Sequence, residues 1–442
     1  MRLMDHQREG LQFLKANKGG PLFMEMGLGK TLTSLWYSYK NQSIKYTLVV
    51  CRKDNIDTWE DEINKWLPAN TPYTCIKGTK KMRLVALKRY ADYTIINYDA
   101  VRTDAIYKAL LKQFFDYIIF DESVELKNPT SRRFKLWSRI ALKCKRRSIL
   151  DGMPIPNDGR DLWAQYFIAD GGTTFGDNFY KFQNRYFTNL GEHFPNWVIF
   201  EPKLSRFKKK MQDSSFVARA EDCLDLPKRG PPITRKAEMS PEQKKAYTQM
   251  VDEWEVEGME VNHAMIKERK LHQIAGGSVI TDKGIVHYES GKLKVLKGLL
   301  ASMRNEPVVI WATYNHELKR IAELCKSPVI YNGALSDKER KAARKRFLNG
   351  EFNEFVGQIK MGIGMNELIR SHICVFFSCD FDLRYREQSI KRLERKGQIH
   401  RVTVIDIVTE NSIDVRVVQT LRRKLSFSRK VMGNDPKEYI NA

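Results

Sequence analysis

A short apolar run, Pro21–Met24, passes over two glycines, Gly27 and Gly29, into Lys30 and Thr31. These open an amphipathic helix with Leu32, Leu35, Trp36 and Tyr39 on its apolar side. A strand that turns over glycines into a helix start aims backbone N–H groups and the positive end of the helix dipole at one point, which suits a phosphate. In such a loop the ammonium of Lys30 reaches the β- and γ-phosphates of a nucleotide and the Thr31 hydroxyl takes Mg²⁺. The strict pattern asks for a further glycine where Met24 stands, so the loop alone leaves a plain Gly-rich helix cap as the alternative.

The rest of the chain must supply a domain around that loop. Its 442 residues suggest about three ordinary domains. The first part, 1–165, alternates apolar runs with helical patterns. Strands are expected at Pro21–Met24, Thr47–Cys51, Thr94–Asn97, Tyr117–Phe120 and Arg147–Leu150, with helices such as Asp57–Trp66 and Lys80–Tyr90 between them. That alternation specifies a parallel sheet covered on both faces, with its sites at the carboxyl ends of the strands. In 166–284 aromatic and basic residues interleave, from Phe175 through Phe179, Tyr180 and Phe182 to Phe187, followed by a basic run at Arg206–Lys210. We read this part as a mostly helical insertion, including one long helical stretch from Pro241 to about Ala275. Its aromatics at helical spacing are expected to pack rather than to stack on bases. From 285 to 442 the alternation returns. Strands are expected at Val308–Ala312, Pro328–Tyr331, Ile373–Ser378 and Val402–Val408, and helices at His316–Cys325, Asp337–Leu348 and Arg384–Lys396.

Composition narrows the partners. The net charge of +23, from 76 basic and 53 acidic residues, favours a polyanion, nucleic acid before others, over a generally basic solvated surface. No apolar run approaches the roughly 18 residues of a membrane span, so no membrane partner is expected. Met1–Gln7 has no leader pattern, and the expected location is cytoplasmic. The seven cysteines form no Cys-x-x-Cys pair, which argues for reduced thiols over zinc or disulfides.

Three further patterns carry chemistry. Tyr117–Phe120 ends in Asp121 and Glu122, carboxylates placed to hold Mg²⁺ through water and to polarise an attacking water. Leu150–Asn157, with Gly152 and Pro154, is a rigid turn after the next strand and a candidate sensor of the γ-phosphate. Gln388, Arg392 and Arg395 fall at i, i+4 and i+7, one face of the expected helix, where two guanidiniums can grip a phosphate oxygen.

Together these residues resemble the Swi/Snf-type ATPases of helicase superfamily 2. His6–Gly10 resembles the family's adenine-reading glutamine motif, with Gln7 as the reader. Glu25–Thr31 matches its Glu-Met-Gly-Leu-Gly-Lys-Thr loop, in which Asp usually stands at the place of Met24. Leu48–Cys51 with Trp59 resembles motif Ia, although Arg52 replaces a proline. Asp121–Asn128 resembles the Asp-Glu-Ala-His box extended to Lys-Asn, with Ser123 and Val124 departing from Ala and His. Leu150–Asn157 resembles the Leu-Thr-Gly-Thr-Pro-Ile-x-Asn motif. Gly333 and Arg340 resemble the segment after motif IV, and Gly362–Asn366 the core of motif V, without its preceding Ser/Thr residues. Gln388–Gln398 is close to motif VI, although Phe381-Asp382-Leu383 replaces the Trp-Asn-Pro before it.

The resemblance runs from Leu3 to about Asp414 and implies an α/β fold of two RecA-like parallel-sheet lobes with a helical insertion. It implies ATP and Mg²⁺ as cofactors, bound by Gln7, Gly27, Leu28, Gly29, Lys30 and Thr31, with Thr31 and Asp121 at the metal. Lys30, Glu122, Arg392 and Arg395 would be catalytic. Gly152, Pro154, Gly362, Gly364 and Gln388 would sense and couple. It also implies a duplex of DNA as partner and movement along it without strand separation. A strand-separating DNA or RNA helicase and an ATP-gated nucleic-acid-binding scaffold remain as alternatives. Because the motifs fill the chain, a bare monomeric motor is expected, acting alone or recruited by another protein.

Overall fold

Apolar runs of four to six residues that are buried on both faces fold as parallel strands. The computed structural model describes residues 3–191, 196–261, 263–303, 306–362 and 368–432. In its first half these runs become β1 (Gly19–Met24), β2 (Thr47–Cys51), β3 (Tyr73–Cys75), β4 (Tyr93–Asn97), β5 (Tyr117–Asp121) and β6 (Arg146–Leu150). A two-stranded ribbon follows, β7 (Thr188–Asn189) with β8 (Trp197–Val198), and then β9 (Phe216–Ala218). The sheet order is β3-β4-β2-β5-β6-β1-β9 and all of its pairings are parallel. Alternate residues feed two cores. Phe23, Val50, Ile118, Phe120 and Ile149 face one. Leu22, Val49, Ile119 and Leu150 face the other.

This sheet belongs to one of two compact units, which takes in the chain to Leu224 together with Ser426–Met432 of the last helix. Most of the aromatic stripe packs into its first core: Phe175, Phe182, Tyr186, Phe187 and Phe207 are buried there, Phe179 is half-buried against them, Tyr180 is exposed, and Phe175 stacks on Phe207 at 5.3 Å between ring centroids. The basic run lies on the helix Lys203–Asp213, which buries Leu204, Phe207 and Met211 and turns Arg206 and Lys209 to solvent. Val431, fully buried, adds to the same core from the far end of the chain, with Phe427 and Met432 against it.

The other unit comprises Asp225–Leu425 among the described residues. It contains β10 (Ile233–Ala237), the hairpins β11 (Glu255–Val256)/β12 (Met259–Glu260) and β13 (Ser278–Thr281)/β14 (Gly284–His287), and then β15 (Val308–Ala312). β16 (Val329–Tyr331), β17 (Glu354–Gln358), β18 (Ile373–Phe376) and β19 (Thr403–Thr409) complete a second parallel sheet, ordered β10-β19-β18-β15-β17-β16. The fold class is therefore the expected one, two parallel α/β sheets with helices. The segment 166–284 is divided: its helices up to Lys203–Asp213 belong to the first unit, and those from Pro241 onward to the second.

Two sequence expectations are corrected. The helical stretch from Pro241 to Ala275 is two helices, Pro241–Asp252 and Ala264–Ala275. Between them Trp254, Glu257 and Gly258 all take positive φ and fold the β11–β12 hairpin. The helix expected over Arg384–Lys396 stops at Ile390, so Arg392 and Arg395 lie in the turns after it and do not share a helix face with Gln388. The break is tied by the Arg392 carbonyl, which accepts from Leu368 N–H at 2.7 Å, and by the Arg392 guanidinium, which donates to Gly362 O at 2.8 Å.

Phe207 is 0 % exposed and touches four other rings. Phe207→Ala is expected to destabilise the first unit by about 3–5 kcal/mol. A lowered urea midpoint monitored in that unit is the check, and an unchanged midpoint contradicts this packing.

Candidate functional site

Register brings the chemistry-bearing residues of the first unit together. In the sheet β6 lies between β1 and β5, with Leu150 opposite both Leu22 and Asp121. The loops leaving these three strands carry Glu25–Lys30, Glu122 and Asp151–Pro154, and all three leave at the carboxyl edge. A Cβ on Gly152 would stand 3.5 Å from Met24 O and Met26 N, so the turn after β6 lies against the start of the glycine loop.

The loop itself is shaped by its glycines and by what props it. Gly27 and Gly29 have φ of +86° and +80°, a region that side chains with a Cβ rarely occupy. Leu28 is buried in the core below, and its carbonyl accepts from Gln7 Nε2 at 3.1 Å and lies 2.9 Å from His6 Nε2. Gln7 Oε1 also accepts from Met4 N–H at 3.1 Å, capping its own helix. Glu25 Oε2 accepts from Ala220 N–H at 3.3 Å beyond β9. The first bond of the helix Lys30–Lys40 runs from Thr33 N–H to Gly29 O, which leaves the N–H groups of Lys30, Thr31 and Leu32 ahead of the ladder. Nothing stands within 4 Å of where a Gly27 Cβ would be. Free N–H donors around an open, glycine-lined turn, with an ammonium at its edge, fit a phosphate chain.

Opposite sits a pair of adjacent buried carboxylates. Asp121 ends β5 and accepts from Trp59 Nε1 at 2.9 Å through Oδ2, while its carbonyl accepts from Tyr98 OH at 2.8 Å. Glu122 follows with φ +53°, a left-handed conformation that turns its side chain out of the strand direction. Burial pushes the Glu122 carboxyl up to about 7, Asp121 and Asp151 add to the rise, and Arg52 and Lys30 oppose it. Two carboxylates packed this closely are short of positive charge, which suits a hard dication beside them. No cluster of three or more metal-ligating side chains occurs among the described residues. Thr31 and Asp121 are the oxygen-bearing side chains here that could hold such an ion together with water.

The turn after β6 is built as firmly. Asp151 accepts from Val124 N–H at 2.9 Å and from Met153 N–H at 2.7 Å, linking it to the segment after Glu122. Gln165, fully buried, accepts from Ser123 Oγ at 2.7 Å and donates to Pro154 O at 2.7 Å. Gln165 escaped the sequence reading. Its signal was a lone amide in the apolar run Leu162–Ile168. Ser123, a departure from the family pattern, makes half of this bridge.

The second unit holds Gly362, Gln388, Arg392 and Arg395, while Gly364 lies outside the described residues. Arg229 organises this region: it donates to Glu387 Oε2 at 3.0 Å and to Glu394 Oε2 at 2.8 Å, spanning the turn in which Arg392 lies. Burial would raise the Glu394 carboxyl, but Arg229 and Lys391 more than offset it and hold it near 2. Arg386 forks onto Asp406 at 2.6 and 3.0 Å and fixes the preceding helix to β19. Neither Arg229 nor Arg386 was singled out from the sequence, because single arginines do not stand out in so basic a chain.

The model of the SNF2-related domain matches residues 6–291. The chain belongs to the SNF2 family. It is 27% identical to putative protein p41 of Acyrthosiphon pisum secondary endosymbiont phage 1, over 90% of this chain and 91% of that protein. The ISWI chromatin-remodeling complex ATPase ISW2 of Saccharomyces cerevisiae is 25% identical over 98% of this chain, which spans only 41% of that relative. The DNA repair and recombination protein RAD54-like of Drosophila persimilis is 25% identical, over 98% and 64% respectively. Among solved structures, the Sulfolobus solfataricus SWI2/SNF2 ATPase core in complex with dsDNA matches 98% of this chain and 94% of that one, with 21% identity and a TM-score of 0.46. As an SNF2-family chain it carries the ATPase domain of that family.

Glu122 has a consequence for stability. Its carboxyl, at about 7 against an ordinary 4.5, holds its proton more tightly folded than unfolded. The stabilisation is therefore complete below the ordinary value and is lost as pH rises through about 7. Glu122→Gln, which has no charge to bury, is expected to gain on the parent by about 3 kcal/mol between pH 4 and pH 8. Urea midpoints of both proteins at those two pH values test this, and a difference that does not change with pH contradicts it.

Proposed function

We propose that this chain is an ATP-driven motor that moves along double-stranded DNA without separating its strands. The observation that carries the reading is the convergence of the glycine loop, Asp121–Glu122 and Asp151–Pro154 at the ends of three adjacent parallel strands. In this reading the N–H groups around Gly27–Thr31 and the Lys30 ammonium hold the phosphates, and Gln7 reads the base. Thr31 and, through water, Asp121 would hold Mg²⁺, which would supply positive charge beside the β- and γ-phosphates. Glu122 takes a proton from the water whose oxygen bonds the γ-phosphorus, while the bond to the bridging oxygen breaks and ADP leaves with that oxygen. Trp59 and Tyr98 hold Asp121 in place for this. Arg392 and Arg395 are the arginine-finger candidates, a role that comes with the motif around them.

Duplex DNA is supported by the net charge of +23 and by the names of relatives in chromatin remodelling and DNA repair. Packing of Phe175, Phe182 and Phe207 inside the first unit supports translocation over strand separation, since these rings are not presented as a wedge. Phosphate contacts without base reading make the expected binding tolerant of sequence and steeply salt-dependent.

Lys30→Ala is expected to weaken nucleotide binding, and Glu122→Gln to bind normally but hydrolyse about 10²–10⁴-fold more slowly. Nucleotide titration and single-turnover hydrolysis separate the two. The decisive assay compares hydrolysis with no nucleic acid, single-stranded DNA, duplex DNA and RNA, alongside displacement of a third strand from a triplex. Greatest stimulation by duplex, with the triplex strand displaced and a forked duplex left intact, is the expected result. Separation of the fork with the triplex left in place overturns it in favour of a helicase.

A further inference from the structure

The amino edge of the first sheet is built differently from the carboxyl edge. The turns that enter β4, β2, β5 and β6 stand side by side there, in the order of their strands. Side chains tie them together. Asp116, before β5, accepts from the N–H groups of Lys45 and Tyr46, before β2, at 2.9 Å each. Gln113, in the same turn as Asp116, donates to Leu87 O before β4. Lys143, before β6, donates to Leu111 O at 3.0 Å. Tyr46 meets Tyr90 edge-on at 5.8 Å between ring centroids, and Lys45 lies over both rings. The four turns therefore make one surface, about 15 Å across at the spacing of adjacent strands.

Two features coincide on it. Lys45, Lys88, Arg89, Lys112, Lys143 and Lys145 are all exposed, and among the described residues none of them is in a salt bridge. The acids of these turns are Asp92 and Asp116, both half-buried. Each is already engaged, Asp92 by Tyr90 OH at 3.0 Å and Asp116 by the two N–H groups. Among the cations stand large side chains in water: Phe114 is 70% exposed, Tyr90 61% and Leu142 46%. Phe115 beside Phe114 is buried in the first core, so this turn buries one ring and presents the other.

Cations alone suit any polyanion, but the apolar side chains between them narrow the class. The phosphates of a duplex offer a phenyl ring no apolar cover. Protein interfaces centre on a buried aromatic ring, with charged groups at the rim. We propose that this edge docks an acidic segment of another protein, whose carboxylates face the lysines and whose apolar side chains cover Phe114. The strands β2, β4, β5 and β6 are five residues long. About 15 Å thus separates this edge from the carboxyl edge, and a partner docked here leaves the glycine loop open to nucleotide. The lysines attract the segment from a distance and Phe114 holds it, so charge governs the rate of arrival and the ring the rate of departure.

The test is fluorescence anisotropy on the full chain with a labelled peptide of glutamates carrying Leu-Phe-Leu at its centre. A polyglutamate of the same length, a single-stranded and a duplex oligonucleotide are the comparison probes. A chain of net charge +23 attracts any polyanion, so the readout is the change from parent to variant. Phe114→Ala is expected to weaken the Leu-Phe-Leu peptide about tenfold and polyglutamate hardly at all. Lys112→Glu combined with Lys145→Glu is expected to weaken both peptides about tenfold, while both oligonucleotides stay within about twofold of the parent. Equal affinity of the parent for the two peptides, or affinity for the Leu-Phe-Leu peptide unchanged in either variant, overturns the proposal. Loss of oligonucleotide binding in the charge-reversed variant overturns it in favour of a nucleic-acid surface. ATP hydrolysis without nucleic acid, expected at the parental level, checks the fold. If the charge-reversed variant does not fold, Phe114→Ala, at a side chain already in water, decides alone.

Discussion

The site depends on register. Leu150 of β6 has Leu22 on one side and Asp121 on the other, and a parallel ladder transmits that alignment to the loops beyond. A slip of one residue between β5 and β6 would turn Phe120 and Ile149 out of one core and into the other, exchanging every buried side chain for its neighbour. Both cores are filled, so the slip is prohibited, and the phosphate loop and the carboxylates keep their places because apolar side chains behind them keep theirs. Precision at the strand ends is thus inherited from packing several residues back.

What is built on this frame is electrostatically unfavourable on its own. Asp121, Glu122 and Asp151 crowd one corner, and Glu122 adopts a backbone conformation that few residues with a side chain take up. The fold compensates with directed donors: the indole of Trp59, the N–H groups of Val124 and Met153, and the guanidinium of Arg52 nearby. The second unit solves a similar problem differently. There Arg229 faces Glu387 and Glu394 at hydrogen-bonding distance, and Lys391 adds a second cation beside Glu394. The first corner is left with excess negative charge and the second is neutralised, a contrast expected between a place that receives a cationic partner and a place that holds a turn.

The legible parts of the sequence were those where one rule decided alone. β1, β2, β4 and β5 are largely apolar runs, β6 ends in one, and all five were expected within a residue or two. β10 was not, because Ile233-Thr234-Arg235-Lys236-Ala237 is an edge strand among the described residues, and exposed Thr234, Arg235 and Lys236 break its apolar pattern. β17 carries Gly357 against the Trp311 ring, where any side chain would collide, and this weakens its pattern. The helix expected to hold Gln388, Arg392 and Arg395 ended early because tertiary bonds from Gly362 and Leu368 outweighed its helical periodicity. Candidate site residues with a motif, such as Lys30 and Glu122, could be named in advance. Their supports, Gln165, Tyr98 and Arg52, could not, since a supporting side chain is defined by what it meets in space.

The burial of Val431 bears on the order in which the chain acquires its structure. The first sheet is complete in sequence at Ala218, yet its apolar interior includes a side chain more than two hundred residues later. The second sheet has the same property, since among the described residues β10, its earliest strand, pairs with β19, its last. A nascent chain therefore exposes an unfilled core and an unpaired strand throughout the synthesis of everything between. Loop closure over such separations is slow, and exposed apolar surface in the interval invites association with other chains. Both units gain their missing parts within the same short stretch, Thr403–Met432, so neither unit is complete until that stretch has been made.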